Sequence, residues 1–136
     1  MIAFLSDAWI EAMDRAATAD ETLGALVEGV ELVLQQEVVD VPGGDVTYVV
    51  RISDGTVRVR KGPAGDAAVR FHQDHRTAVD IASGRLSAQR AFMTGRLQVG
   101  GDLKPLIERG DVLGALHDVF ASVRADTEGL GVPEAT

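Results

Sequence analysis

The chain reads as an α+β domain. Three observations carry that reading: an amphipathic N-terminal segment at helical spacing, a block of period-two alternation broken by Asp54-Gly55, and a second half of short capped segments ending in a wide apolar stripe. Strands followed by helices indicate separate α and β layers, not a parallel doubly wound sheet. At 136 residues, 46% of them apolar and 25% charged, the chain suits one domain with one core. We expect that domain to cover residues 1–126, with a flexible tail over 127–136 that holds Gly129, Gly131 and Pro133.

Ser6 is a good N-cap, with Leu5 and Ile10 at staple positions around it. Phe4, Trp9, Met13 and Ala16 then fall on one helical stripe, while Asp7 and Glu11 face away. Residues 19–29 are ambiguous, with one or two turns of weak helix over 21–26. Residues 31–39 (ELVLQQEVV) are branched and apolar without a breaker, and Pro42-Gly43-Gly44-Asp45 is a turn. Val46, Tyr48, Val50 and Ile52 alternate with polar residues, which is strand periodicity. Asp54-Gly55 is the pair a type I′ turn favours, because both positions need positive φ, and Val57 and Val59 continue the alternation beyond it. These pieces make a three-stranded antiparallel meander.

After the break at residues 61–65, residues 68–72 (AVRFH) read as a fourth strand with Val69 and Phe71 on one face. Residues 75–83 suit a helix stopped by Gly84, and Ser87 caps another that Gly95 stops. Residues 97–99 make a short fifth strand. Asp102 caps a helical turn that tolerates Pro105 and ends at Gly110; Asp111 caps the last helix, whose stripe includes Val112, Leu116, Val119 and Phe120.

The composition excludes several functions. There is no cysteine, so disulfides, thiol catalysis and cysteine–metal sites are out. A formal net charge of −8 repels phosphate backbones and anionic membranes, so no nucleic-acid partner is expected. No run approaches the roughly 18 apolar residues of a membrane span, and no stable membrane insertion is expected. The N-terminal MIAFLSDAW lacks the basic segment of a secretory signal, and Glu134-Ala135-Thr136 is not a peroxisomal address. A cytoplasmic location is the expectation.

Candidate chemistry is thin. His72-Gln73-Asp74-His75 places two imidazoles near a carboxylate, but two ligands without a third make no metal site, and a strand end capped into a helix by Asp74 explains the run better. His117 is read as a half-exposed helix residue before it is read as a proton-transfer group. None of the five serines lies in a nucleophile elbow. Gly100-Gly101 lacks the lysine and spacing of a P-loop, so turn geometry is preferred. Arg58, Arg60 and Lys61 are read as a solvated basic face, with an acidic headgroup as the alternative contact. No catalytic residue, metal or cofactor is expected. What the sequence does offer is more amphipathic helix than one small sheet needs. The helices either pack shut or leave a lined cavity, and Phe92-Met93 bears on the second outcome because methionine adapts to irregular ligands.

The stretch from Val46 to Leu103 resembles the sterol carrier protein 2 (SCP2) domain family. The resemblance rests on the hairpin YVVRISDGTVRVRKG, on GPAGDAAVRFHQD, on a helix ending at Gly84 and on the block AFMTGRLQVGGD at 91–102. With the N-terminal tryptophan helix it extends over residues 4–122. It implies a small, mainly antiparallel five-stranded sheet covered on one face by helices, with a hydrophobic tunnel between the layers. It also implies carriage of a fatty acid, a fatty acyl group or a sterol-like lipid, without catalysis. By the same resemblance Phe92, Met93 and Leu97 face the tunnel, Ile81 and Leu86 line the neighbouring helix and loop, and Val112, Leu116 and Phe120 form a lid or wall; Trp9 and Met13 complete the expected site. A sixteen-carbon chain gains on the order of 12 kcal/mol gross from burial, so affinity needs little polar recognition. Two alternatives remain: an enzyme acting on an apolar metabolite through His117, His72 or a carboxylate, and a homodimer built on the first helix and first strand.

Overall fold

The computed structural model describes residues 2–124 and 127–128. Its first elements are a two-residue strand β1 (Ile2–Ala3), helix α1 (Asp7–Ala19) and helix α2 (Glu21–Leu26). Ser6 caps α1 by accepting from the Trp9 amide at 3.1 Å, and Asp20 caps α2 through the Leu23 amide at 2.9 Å. The ambiguous segment is therefore helical, and its cap explains why a six-residue helix holds. Strands β2 (Leu32–Val39), β3 (Val46–Ser53) and β4 (Thr56–Lys61) form the expected meander. Asp54 and Gly55 adopt φ of 54° and 72° at its second turn, as the type I′ reading requires.

The fourth strand, β5 (Val69–Asp74), runs two residues past its expected end and pairs in parallel with β2. Periodicity does not encode that choice of partner. The chain leaves β4 at one edge, crosses the outer face of β3 and β2 through residues 62–68, and returns on the far side of β2. Three contacts pin the crossing: the Ala64 amide on Gln35 Oε1 at 2.9 Å, the Ala68 amide on the Val33 carbonyl at 2.9 Å, and the Arg51–Asp66 ion pair at 2.8 Å. They account for the burial of Val49 and Gln35 on the outer side. Helices α3 (His75–Ala82) and α4 (Ala88–Met93) follow, capped by Asp74 and Ser87, and Gly84 and Gly95 stop them with φ of 85° and 80°. Strand β6 (Gln98–Gly101) pairs antiparallel with β5, one residue later than expected, so Leu97 precedes it. The sheet order is β4-β3-β2-β5-β6: five strands, mostly antiparallel, with the β2–β5 pair parallel.

Helices α5 (Lys104–Glu108) and α6 (Gly110–Arg124) then follow almost without a break. Helix α5 ends slightly before the expected position, with Arg109 as its C-cap, and Gly110 is not the residue that stops it. Gly110 is not in the positive-φ conformation a C-terminal stop uses; it is the first residue of α6, and the Leu113 amide donates to the Arg109 carbonyl at 3.1 Å. Asp111 accordingly sits inside the first turn and accepts from the Val112 amide. Asp102 accepts from the Lys104 amide, but Leu103 is the residue before α5 and makes no side-chain cap. After α6, strand β7 (Thr127–Glu128) pairs in parallel with β1, and Thr127 is buried. Packed structure thus reaches past the expected boundary at 126; residues 129–136 of the expected tail lie outside the described residues.

The basic face on β4 is engaged by α1. Asp14 accepts from Arg58 Nε at 3.0 Å, Arg60 Nη1 at 2.8 Å and the Val59 amide at 2.7 Å, and Lys61 pairs with Asp7 at 2.9 Å. Thr18 donates to the Val57 carbonyl at 3.1 Å. Val57 and Val59 lie on an edge strand, so these bonds cap backbone groups that would otherwise be open to pairing with another chain.

Candidate functional site

Register sorts the sheet into two faces. Val59, Val50, Leu34 and Val69 form one row of the inner face, and Tyr48, Gln36, Phe71 and Val99 form the next. The helices lie over this face without filling the space above it. A cavity of about 610 Å³ remains between the layers, within the roughly 300–1,000 Å³ range of small-molecule sites.

Its floor is the inner face, including Leu34, Val38, Val50 and Phe71; its roof comes from Met13 and Ala17 of α1, Ala78 and Ile81 of α3, and Leu113 and Leu116 of α6. Ion pairs hold that roof at its margin. Asp80 of α3 accepts from Arg96 at 2.8 Å and from Arg85 at 3.3 Å. The Arg96 bond, opposed by partial desolvation and reinforced by Arg85, holds the Asp80 carboxyl below its ordinary range. Arg124 Nε donates to the Ala82 carbonyl at 2.8 Å and fastens α6 to the end of α3. The opening lies beside α4 and α5, where Phe92, Leu103 and Ile107 line the cavity and are also exposed, Ile107 to 82%. Exposed apolar side chains grouped at a cavity rim mark an entrance, whereas scattered ones mark nothing.

Five of the ten expected site residues line this cavity: Met13, Ile81, Phe92, Leu97 and Leu116. Four others have different surroundings. Trp9 is 2% exposed and stacks edge-on against Phe4 and Tyr48, so it backs two lining residues without reaching the space itself. Val112 is fully buried in the core. Leu86 is half-buried beside α3, and its amide donates to the Asp80 carbonyl. Met93 is 76% exposed and does not line the cavity. The Phe120 side chain lies outside the described residues.

The sheet floor and the α5 rim were absent from the expected site. Alternation marks the floor, because it sets Tyr48 and Val50 on one face, but nothing local says which face meets the helices. Gln36 and Gln73, two polar residues on the inner face, break the pattern and carry no sequence signal at all.

The histidines are kept apart. His72 points from the outer face to Glu37, with Nδ1 3.3 Å from Oε1; the His75 ring lies 6.3 Å from that of Phe4; His117 lines the cavity from α6. No group of three potential metal ligands occurs among the described residues.

The sequence model of the SCP-2 sterol transfer family matches residues 10–108. No curated protein matches the chain in sequence. Among solved structures, a crystal structure of sterol carrier protein 2 is similar at 22% identity and a TM-score of 0.71, with 86% of this chain and 96% of that one covered. A conserved hypothetical protein of Thermus thermophilus, possibly a sterol carrier protein, is similar at 22% identity and a TM-score of 0.73, with 88% and 89% covered. Palmitated SCP2L2 from Aedes aegypti is similar at 19% identity and a TM-score of 0.52, with 81% and 92% covered. At these identities the likeness concerns the fold.

Proposed function

The chain belongs to the SCP-2 sterol transfer family, and from that premise we propose that it binds an apolar, lipid-like small molecule in the cavity between sheet and helices and carries it through the cytoplasm. The observation that supports this most is the lining. Apart from Gln36, Gln73, Gln89 and His117, the residues around the 610 Å³ space are aliphatic or aromatic, and apolar residues at the rim are left in water. Such a space gains from a guest that brings its own apolar surface out of water, at about 0.8 kcal/mol per buried methylene before ordering costs. The palmitated neighbour from Aedes aegypti supports an aliphatic occupant. No helix of the described residues is long and apolar enough to cross a membrane.

The ligand class is tested by purifying the protein from its own host, extracting it and identifying bound lipid by mass spectrometry, together with titration of a pyrene-labelled alkyl probe. A stoichiometric lipid, or saturable probe binding, is the expected result. Clean protein that also fails to take up the probe would remove the carrier reading.

A further inference from the structure

The floor of the cavity carries three polar side chains, and register brings them together. Gln36 on β2 lies directly across from Tyr48 on β3, and its other neighbour in the row is Phe71 on β5; Gln73 stands two residues further along β5 on the same face. All three polar residues line the cavity. Tyr48 is 4% exposed and Gln73 7%, while Gln36 is half-buried. Gln73 Nε2 donates to Gln36 Oε1 at 2.9 Å. That bond leaves one NH₂ group and one carbonyl of the pair without a protein partner among the described residues. The same holds if both amides are turned over, since the bond then simply runs the other way. The Tyr48 hydroxyl likewise has no hydrogen-bond partner among the described residues, and its burial pushes the phenol pKa up.

Buried amides are ordinarily saturated, and this fold shows the contrast on its other face. Gln35 donates to Glu37 and accepts from the Ala64 amide, so both ends of its amide are engaged. The Gln36–Gln73 pair instead presents a donor and an acceptor to a space of ligand size. No lysine or arginine lines that space among the described residues; Lys61 adjoins Tyr48 in register, but its ammonium is held by Asp7. The one other basic group in the lining, the imidazole of His117, belongs to α6 in the roof and not to the floor, so an anionic head at the floor would lie there without a fixed counter-charge. An ester or ether oxygen would use only the donors. A hydroxyl uses donor and acceptor together.

We propose that Gln36, Gln73 and Tyr48 form a polar subsite that receives the hydroxyl group of an uncharged lipid. This rests on the lipid-binding reading above and adds to it the ligand's head group and the residues that hold it.

The test is displacement of the pyrene-labelled probe by dodecanol and by dodecyl methyl ether, which share a chain and an oxygen, the ether carrying a methyl group in place of the hydroxyl hydrogen. Dodecanol is expected to displace the probe at about a tenfold lower concentration than the ether. Tyr48→Phe, which removes the phenol hydroxyl, should narrow that ratio, and the double variant Gln36→Leu/Gln73→Leu, which keeps that hydroxyl but removes the amide donor and acceptor, should narrow it further. Equal potency of the two compounds on the parent protein, or an unchanged ratio in both variants, would overturn the subsite and leave the carrier reading intact. Failure of both compounds and of the probe would overturn the carrier reading itself, and the subsite with it. Circular dichroism checks each variant; if the double variant does not fold, Tyr48→Phe decides. Cholesterol against cholesteryl methyl ether repeats the comparison on a rigid skeleton, and the skeleton that shows the larger ratio identifies the source of the hydroxyl.

Discussion

Phe92 and Met93 are neighbours on one helical turn, and the fold sends them different ways. Phe92 lines the cavity at its mouth, while Met93 stands in water. Adjacent helical positions are about 100° apart, so only one can face a given neighbour. Phe92→Glu is therefore expected to weaken probe binding by about tenfold, because a carboxylate at the mouth must lose water when the ligand enters. Met93→Glu should change it by less than about twofold; titration of both variants measures the difference, and a larger effect at Met93 would refute this geometry. Asp14 shows a second residue-scale effect. Partial burial alone pushes its carboxyl up, but the Arg58, Val59 and Arg60 hydrogen bonds outweigh that and hold it below the ordinary value. A depressed carboxylate adds stability above its unfolded pKa of about 4 and loses it as pH falls through the folded value. Asp14→Ala should therefore destabilise by about 2 kcal/mol near pH 7, and the gap should shrink at about pH 3. Urea denaturation at the two pH values reads it directly.

At the scale of elements, the closing strand β6 depends on one glycine. Gly101 has φ of 89°, and a Cβ there would run into the Ala68 carbonyl oxygen, the same oxygen that accepts from the Asp102 amide at 2.9 Å. Gly101→Ala should lower stability by more than about 2 kcal/mol, through strain and displacement of the strand edge. Gly100→Ala is the control: open space surrounds that position and its φ is not positive, so less than about 1 kcal/mol is expected. Thermal or urea unfolding of the pair tests the assignment, and equal losses would contradict it. Elements were also the best-read level of the sequence. Ser6, Asp74 and Ser87 cap the helices they were expected to cap, and Asp54-Gly55 makes its hairpin. Gly110 was misread because a glycine's stopping power depends on its φ, which the surrounding packing sets.

The whole molecule is two layers held apart as well as together. Core residues such as Leu23, Ile52 and Val119 close the interior around α1, α2 and α6, while the space over Leu34, Val50 and Phe71 stays open. A ligand that enters it binds the folded state alone. At one hundred times its dissociation constant, it should raise stability by about 2.7 kcal/mol, a shift of several degrees in Tm. Ala82→Trp, which adds bulk from the roof, should reduce that shift by more than half without lowering the melting temperature of the free protein by a comparable amount. Calorimetry with and without dodecanol measures both, and an undiminished shift would place the ligand elsewhere.

By itself the sequence determined the caps, the turns, the alternation of the strands and the stripes of the helices, since each depends on residues within a few positions of one another. It also carried the family signature at 91–102. The tertiary structure decided that β5 lies parallel to β2, which face of the sheet turns inward, that Gln36, Gln73 and Tyr48 meet there, and that the two layers leave a space between them. Those outcomes depend on contacts between residues far apart in the chain and on how side-chain volumes from five strands and several helices add up, and no local pattern contains that sum.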